Sequence, residues 1–225
     1  PKQAEEVNVR GTINVLEAMR FVDVSQIIYG STIWVYSDCD EDQVDESTAI
    51  RPPAHLYTAT KYASELYCNA YSNLYDMEFT VLRFGVPYGP RSRDGAVLPI
   101  FVKRALAGDP LTIAGDGSQF RKFLYVEDLA EGVALAASKA ARNRIYNLDG
   151  AERISVRQIA ETVRSAVGDV AIQQVEGRTG DFSGKEVSSE RARQDLGWEP
   201  MVSFDEGVRR YIQWYRQRQQ EQYKE

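Results

Sequence analysis

Apolar runs with the length of strands alternate with longer stretches of helical periodicity along this 225-residue chain. The predicted helices are Ala4–Met19, Leu56–Tyr75 and Glu127–Ser138, followed in turn by the predicted strands Gln26–Tyr29, Thr80–Phe84 and Ile145–Leu148. Strands joined through helices pair in parallel, because the connecting helix returns the chain to the same end of the sheet. The pattern therefore predicts an α/β fold built on a doubly wound parallel sheet.

Two stretches interrupt this alternation and predict a smaller second lobe. Their predicted elements are the helix Leu98–Ala107 and the strands Leu111–Ala114, Phe120–Tyr125 and Val170–Val175. Ser155 with Gln158, and Ser203 with Glu206, have the spacing of a capping box, in which the serine side chain accepts from the first turn of a helix. We therefore expect one further helix after Ser155 and another from Ser203 to the end of the chain.

The segment Tyr57-Thr58-Ala59-Thr60-Lys61 carries the clearest chemical signal, because residues four apart share one face of a helix. An ammonium group a few ångströms from a tyrosine favours the phenolate and lowers a pKa that is otherwise about 10. Such a pair can take a proton from a substrate hydroxyl and return it. Thr32 ends an apolar run and can orient the same substrate oxygen. The spacing alone also arises by chance in a tyrosine-rich helix, so the neighbouring motifs have to decide.

The composition excludes several other kinds of site. A formal net charge of −6 provides no basic footprint for nucleic acid, and the apolar runs are shorter than the ~20 residues of a membrane span. His55 is the only histidine, and Cys39 and Cys68 have neither the number of a disulfide framework nor the spacing of zinc ligands. We predict no metal, nucleic-acid or membrane partner and a cytoplasmic location, with His55 on the surface.

A series of short motifs follows Tyr57 in order. They are Leu82-Arg83-Phe84, Tyr88-Gly89-Pro90-Arg91, Ala114-Gly115-Asp116-Gly117-Ser118-Gln119 with Arg121, Tyr125-Val126-Glu127-Asp128, Gly180-Asp181 and Leu196-Gly197-Trp198-Glu199-Pro200. With Asn8, Gly11, Thr12 and Asn14 in the first helix, this series resembles the extended short-chain dehydrogenase/reductase superfamily, in its branch of NAD-dependent nucleotide-sugar epimerases and dehydratases. The resemblance implies a Rossmann-like cofactor domain at 1–87 and 129–150, and a substrate-binding lobe formed mostly by 88–128 and 151–225.

The resemblance also implies a role for individual residues. The implied catalytic residues are Thr32, Tyr57 and Lys61. The implied NAD-binding residues are Asn8, Ser31, Tyr57, Lys61, Phe84 and Val86. The implied residues for a nucleotide-diphosphate sugar are Thr32, Val86, Val97, Thr112, Ile113, Arg121, Arg178 and Lys185. Arg121 and Arg178 suit a diphosphate because a guanidinium pairs with two phosphate oxygens at once, although both are also open to interpretation as ordinary surface charges.

Departures from the family pattern narrow the predicted chemistry. Ile33 and Trp34 stand where the 4,6-dehydratases carry Asp-Glu after the threonine, and neither side chain can transfer a proton. We therefore predict an epimerase similar to UDP-glucose 4-epimerase, in which Tyr57 removes the C4 hydroxyl proton and a transient 4-keto sugar is formed. Val86 replaces a family asparagine, and Lys122 replaces an aspartate.

Two alternatives fit the same residues. One is a nucleotide-sugar reductase or dehydrogenase that uses the Tyr57–Lys61 pair and releases its cofactor after each turnover. The other is a non-catalytic fragment that acts as a binding or dimerisation module. The resemblance implies a homodimer through the helices at 4–19 and 56–75.

The family's opening strand and Gly-x-x-Gly-x-x-Gly turn do not occur in this sequence, which begins at Pro1 inside a predicted helix. At about 30 residues per βα unit, we expect roughly 80–90 residues to precede it in a longer protein. The acidic residue that separates NAD from NADP belongs to that segment, so NADP is not excluded.

Overall fold

The computed structural model describes residues 1–176 and 185–222, which form two compact units. The first unit contains Pro1–Gly85, Leu129–Asp149 and Lys185–Glu199. The second contains Val86–Asp128 and the described parts of Gly150–Gly184 and Pro200–Glu225. Parallel strands joined through helices form the sheet of the first unit, as the alternation in the sequence predicts, and parallel pairing also occurs in the second unit.

The elements follow one another in mixed order. The helices are α1 (Lys2–Glu5), α2 (Gly11–Phe21), α3 (Leu56–Tyr75), α4 (Val97–Ala107), α5 (Val126–Leu135), α6 (Val156–Val167), α7 (Glu190–Leu196) and α8 (Phe204–Gln222). The strands are β1 (Gln26–Thr32), β2 (Gln43–Val44), β3 (Glu78–Phe84), β4 (Val86–Tyr88), β5 (Leu111–Ala114), β6 (Phe120–Tyr125), β7 (Arg144–Leu148), β8 (Arg153–Ser155), β9 (Ile172–Val175) and β10 (Glu186–Val187). Short 3₁₀ helices occur at Ile33–Tyr36 and Lys139–Ala141.

The first unit is organised around a parallel sheet in which β3 lies between β1 and β7. Strand β1 extends three residues beyond the predicted end at Tyr29, because β3 continues to pair with it until Thr32 lies opposite Phe84. Phe84 in turn lies opposite Leu148 of β7. The three strands therefore end together, and Thr32 is the last strand residue instead of the first loop residue.

The first helical stretch widens into a π-helical turn at Glu6–Arg10, between α1 and α2. The carbonyl of Asn8 accepts from the hydroxyl of Thr12 at 2.6 Å and from that of Ser64, on α3, at 2.8 Å. The prediction of an uninterrupted helix at Ala4–Met19 was wrong in this detail. A sequence pattern with helical periodicity does not distinguish one wide turn from its neighbours.

Helix α3 begins and ends at the predicted residues. The ring nitrogen Nδ1 of His55 accepts from the backbone N–H of Tyr57 at 3.2 Å, so the exposed histidine caps the helix. Asp76 closes it in the left-handed conformation, with φ of 54°. The buried face of α3 includes Cys68, which packs with Leu16 and other apolar residues of α2, β1 and β3.

The segment 185–199 belongs to the first unit, whereas the sequence assigned it to the second lobe. Strand β10 pairs in parallel with β2, and Val187 is buried against Val44 and Tyr36. Both strands have only two residues, so their sequence shows no alternation from which a strand could be predicted. Trp198, in the same segment, is buried at 1% exposure.

Glu46 lies two residues after β2 in the first unit, and its side chain is only 2% exposed. Its carboxylate accepts from the backbone N–H of Asn147 at 2.7 Å and lies 3.8 Å from the Arg191 guanidinium. Burial raises the pKa of Glu46 above its ordinary 4.5, in spite of these two partners. The folded state therefore binds the proton more tightly than the unfolded chain does.

We predict that Glu46→Gln stabilises the fold at neutral pH. A folded pKa above the unfolded value adds stability below about pH 4.5 that is lost as pH rises through the folded pKa. Glutamine resembles the protonated acid and keeps the acceptor for Asn147. We expect a higher free energy of unfolding than that of the wild type at pH 7, and almost no difference at pH 4. Urea unfolding of both proteins at the two pH values measures the difference, and a loss of stability at pH 7 would contradict the prediction.

The second unit contains two smaller sheets. Strand β6 pairs in parallel with β4 and antiparallel with β8, while β5 pairs with β9. Its core includes Leu98 and Phe101 from α4, Val163 from α6 and Tyr211 from α8. The capping box of Ser155 and Gln158 is confirmed at the start of α6. The predicted strand at Val170–Val175 is shorter than expected, because pairing with β5 covers only Ile172–Val175.

Over the described residues, each helix is too short or too polar to cross a lipid bilayer.

Candidate active site

Thr32 lies at the carboxyl end of the first unit's sheet, where ligands bind in open α/β folds. Its side chain is 4% exposed, and its hydroxyl oxygen accepts from the backbone N–H of Trp34 at 3.3 Å. Because that oxygen acts as an acceptor within the chain, the hydroxyl proton can point away from Trp34 toward a ligand. Thr32 and Phe84 are direct neighbours in the register of β1 and β3.

Tyr57 and Lys61 lie one turn apart at the start of α3. Tyr57 is 40% exposed. The Lys61 ammonium donates to the carbonyl oxygen of Gly30 at 3.0 Å and lies 5.2 Å from the centre of the Tyr29 ring. Burial lowers the pKa of Lys61. The structure thus anchors the ammonium on β1 and keeps it one helical turn from an accessible phenol.

Gly30 has a steric role next to this anchor. A Cβ atom built on Gly30 would lie 3.0 Å from Cε2 of the Phe84 ring. That approach is tighter than ordinary van der Waals contact, so a larger residue would push Phe84 or β1 out of place. Glycine therefore allows the Phe84 ring to cover the strand at the residue that holds Lys61.

Beneath Thr32 lies a buried ion pair between Glu65 of α3 and Arg83 of β3, which are 4% and 3% exposed. Nη2 of Arg83 lies 2.7 Å from Oε2 of Glu65, and Nε donates to both carboxylate oxygens at 3.1 and 3.3 Å. The hydroxyl of Ser31 donates to Oε1 of the same carboxylate. Burial opposes the charge of Arg83, but the hydrogen bonds and the negative charge of Glu65 outweigh it and raise the pKa of Arg83.

The polar network continues from Arg83 to Tyr36, at the end of the 3₁₀ helix that follows Thr32. Nη1 of Arg83 donates to the Tyr36 hydroxyl oxygen at 2.6 Å, and that hydroxyl donates to Oδ1 of Asn147 at 3.0 Å. Burial raises the pKa of Tyr36 to about 12, so it remains a neutral phenol at physiological pH. Nδ2 of Asn147 donates to the carbonyl of Ser188 at 2.9 Å.

Two of the residues predicted to bind cofactor take part in contacts within the first unit. Nδ2 of Asn8 donates to the hydroxyl of Thr60 on α3 at 3.0 Å. Ser31 is 3% exposed, and its hydroxyl is engaged by Glu65. Their binding of a cofactor stays a prediction. The contact of Ser31 joins β1, which carries Thr32, to α3, which carries Tyr57, whereas that of Asn8 joins the π-helical turn to α3.

The residues predicted for substrate binding in the second unit lie on different elements. Val86 of β4 lies opposite Phe123 of β6, so Val86 and Arg121 share one face of this pair of strands. Arg121 donates to the carbonyl of Phe120 at 2.6 Å. Val97 is the first residue of α4.

Thr112 and Ile113 belong to the separate pair of strands β5 and β9. The hydroxyl of Thr112 accepts from Nη1 of Arg104 at 2.6 Å. Ile113 is fully buried in the apolar core of the second unit, so its side chain serves packing. A contact of Ile113 with a nucleobase is therefore restricted to its backbone.

Lys185 lies in the first unit, where its ammonium donates to the carbonyls of Cys39 and Glu41 at 2.7 and 2.9 Å. These bonds fasten the start of β10 to the loop before β2. The predicted contact of Lys185 with a hexose stays a prediction. Arg178, Gly180 and Asp181 lie outside the described residues.

Sequence reasoning missed Glu65, Arg83, Tyr36 and Asn147, which are far apart in the chain. One signal was present, since Arg83 is a charged residue inside the apolar strand run Val81-Leu82-Arg83-Phe84. A buried arginine requires a carboxylate partner. Glu65, one turn after Lys61 on the same helix face, was available for that role. Among the described residues, no cluster of histidine, cysteine or carboxylate side chains could hold a metal ion.

Comparison with known proteins gives a consistent picture. A model described as the NAD dependent epimerase/dehydratase family matches residues 1–149. A UDP-glucuronate 4-epimerase of Thermodesulfobacterium geofontis is 32% identical over 209 residues, which cover 92% of this chain and 64% of that protein. A UDP-glucose 4-epimerase of Mycolicibacterium smegmatis is 31% identical over 219 residues, which cover 95% of this chain and 70% of that protein. The chain thus spans about two thirds of the length of these relatives.

A solved structure agrees with this comparison. The crystal structure of UDP-glucose 4-epimerase from Thermotoga maritima with UDP-glucose superimposes with a TM-score of 0.88 at 28% sequence identity. The match covers 96% of this chain and 71% of that one. The Rossmann-like fold predicted from the sequence is confirmed by this similarity and by the parallel sheet of the first unit.

Proposed function

Since this chain belongs to the NAD dependent epimerase/dehydratase family, we propose that the protein interconverts C4 epimers of a nucleotide-diphosphate sugar. One observation carries the proposal. Lys61, one helical turn after the exposed Tyr57, donates to the carbonyl of Gly30. Gly30 lies two residues before Thr32, at the end of β1. This arrangement supplies a proton-transfer group, a neighbouring cation and a hydroxyl donor.

The residues present fit the nicotinamide–ribose end of NAD. The Lys61 ammonium carries three N–H donors, so it can donate to ribose hydroxyls as well as to Gly30. Tyr57 is accessible beside it. When bound there, NAD would supply a reversible hydride acceptor for the sugar carbon. Lys61 and Tyr57 would hold the nicotinamide ribose, while Thr32 and Phe84 would border the nicotinamide.

In this proposal the chain's own residues transfer a proton and stabilise the carbonyl oxygen that forms on the sugar. Tyr57 takes the proton of the C4 hydroxyl and returns it to the same oxygen, after the keto sugar has turned over in the site so that C4 presents its opposite face to the returning hydride. The positive charge of Lys61 favours the phenolate form that the first step requires. Thr32 donates its hydroxyl proton to the developing carbonyl oxygen, which stabilises the 4-keto sugar.

The residues after Thr32 favour epimerisation over elimination of water. Ile33 packs against the buried cluster around Val35 and Tyr36, and Trp34 is 38% exposed. Neither side chain has a group that exchanges protons at physiological pH. Loss of water from neighbouring sugar carbons requires a second acid and base, which these two positions do not supply.

We place the nucleotide diphosphate on the second unit. Arg121 is partly buried and shares its strand face with Val86, and a guanidinium there can pair with two phosphate oxygens. Arg121 and Lys122 supply two neighbouring positive charges in a chain whose net charge is −6. The contributions of Val97, Thr112, Arg178 and Lys185 remain part of the same proposal.

We also propose that two copies pair through α2 and α3. The two helices contact each other in the first unit, where Tyr71 donates to Glu17 at 2.7 Å and Arg20 lies over the Tyr75 ring at 3.7 Å. Large apolar side chains remain exposed on these helices and the turn before α2: Val7 (65%), Val15 (51%), Leu66 (52%) and Leu74 (70%). A second copy of the same surface would bury them.

The proposed function is tested with the protein as encoded by its gene and a panel that includes UDP-glucose and UDP-glucuronate. We expect inversion at C4 by proton NMR and no accumulation of free NADH, because the cofactor is recycled within each turnover. NADH formed one-for-one with an oxidised sugar would instead establish the dehydrogenase alternative. A 4-keto-6-deoxy product would identify a dehydratase.

A further inference from the structure

The Glu65–Arg83 ion pair holds the chain on both sides of Thr32. On one side, the hydroxyl of Ser31 donates to the Glu65 carboxylate. On the other, the Tyr36 hydroxyl accepts from Arg83 at 2.6 Å. Thr32 therefore lies within a six-residue segment, Ser31 to Tyr36, whose two ends are tied to opposite members of one buried pair.

The same pair fixes how α3 lies on β1. Lys61 donates to the carbonyl of Gly30, and one turn later Glu65 accepts from the hydroxyl of Ser31. Two successive turns of the helix are thus bonded to two successive residues of the strand. A slip of α3 along β1 would break both bonds, and Tyr57 is one turn before the first of them.

We propose that Glu65 and Arg83, acting through Ser31 and Tyr36, are positioning residues that hold the Thr32 hydroxyl and the Tyr57 phenol in place for proton transfer. The inference rests on the proposed function, since it assigns these contacts to the same reaction. Stability alone does not explain them, because replacing a buried ion pair by well-packed apolar side chains is often neutral or stabilising. What the pair adds is a fixed geometry with charged, directional hydrogen bonds.

The test uses two mild variants that loosen the segment from opposite ends. Ser31→Ala removes the bond to Glu65 but leaves that carboxylate paired with Arg83. Tyr36→Phe removes the bond to Arg83 together with the bond from the same hydroxyl to Asn147, and it affects a residue with no predicted ligand contact. For each we expect kcat to fall on the order of 10-fold with KM nearly unchanged, which is less than the ~10²-fold that a displacement of about 1 Å can cost. Amide hydrogen exchange in the segment 32–36 should become faster.

Two matched controls remove the same groups elsewhere in the same sheet. Thr80→Val deletes a fully buried strand hydroxyl that donates to the carbonyl of Ala141 at 2.8 Å. Tyr146→Phe deletes a buried phenol hydroxyl that donates to Asp195 at 3.1 Å. We expect both to lower the melting temperature about as much as Ser31→Ala and Tyr36→Phe, while kcat and exchange in the segment 32–36 stay as in the wild type.

The outcomes separate the two proposals. If the wild type epimerises sugars but all four variants have similar kcat, the positioning role is wrong and the proposed function stands. If the wild type is inactive toward the panel, the proposed function fails, and unchanged exchange at 32–36 in Ser31→Ala and Tyr36→Phe would then reject the positioning role as well. Faster exchange in these two variants supports the positioning role only together with a loss of kcat relative to an active wild type, and without the same changes in the controls.

Discussion

Tyr57→Phe is expected to lower kcat for epimerisation by about 10²–10⁴-fold, the usual contribution of a positioned acid–base group. Phenylalanine keeps the ring but removes the hydroxyl that exchanges the proton with the sugar. Because Tyr57 is 40% exposed and lies in the first turn of α3, its hydroxyl contributes little to packing. The melting temperature should therefore change by no more than a few degrees. Steady-state kinetics and thermal unfolding measure both quantities.

Tyr67→Phe provides the matched control for this substitution. Tyr67 lies on the same helix and is also 40% exposed, but it is ten residues further along. The control variant should retain wild-type kcat. Comparable activity of Tyr57→Phe and Tyr67→Phe would show that Tyr57 does not carry the proton, and the mechanism would then be wrong.

Arg83→Met is expected to cost about 3–5 kcal/mol of the free energy of unfolding, as is typical when one partner of a buried ion pair is removed. Glu65 would remain 4% exposed without its cation, and the Tyr36 hydroxyl would lose a donor at 2.6 Å. Equilibrium unfolding in urea measures the change. A loss of less than about 1 kcal/mol in the free energy of unfolding is typical of exposed ion pairs, and it would contradict the prediction that breaking this buried pair is strongly destabilising.

The double variant Arg83→Met/Glu65→Met separates stability from positioning. Removal of both charges leaves no uncompensated ion, so most of the stability lost in Arg83→Met should return. We expect kcat to remain low, because Ser31 has lost its bond to Glu65 and Tyr36 has lost its bond to Arg83. Recovery of both stability and kcat would instead assign the ion pair to folding alone.

The long elements of the fold could be predicted from the sequence, while the shortest could not. Helix α3 begins and ends where predicted, and so do the strands β5 and β6, whose runs of four and six residues are bounded by turn residues in the sequence. Strands β2 and β10 have two residues each and β4 and β8 have three, too few to show any period. Their strand conformation is defined by pairing with neighbouring strands in the folded chain.

The sequence displays the candidate reactive groups but not the contacts that support them. Thr32, Tyr57 and Lys61 form a motif of residue types with a fixed spacing, which the sequence displays directly. The bond of Lys61 to Gly30 and the network from Ser31 to Asn147 depend on which strands are neighbours, and this is decided by tertiary pairing. The engagement of Lys185 with two backbone carbonyls likewise follows from the pairing of β10 with β2.

The proposed epimerisation is tested most directly with UDP-glucose and UDP-glucuronate that carry deuterium at C4 of the sugar. The protein as encoded by its gene should convert at least one of them to its C4 epimer. Mass spectrometry should then show the deuterium still at C4, because the hydrogen removed from that carbon returns to it. Loss of the label to solvent, inversion at another carbon, or no conversion of either sugar would contradict the proposed reaction.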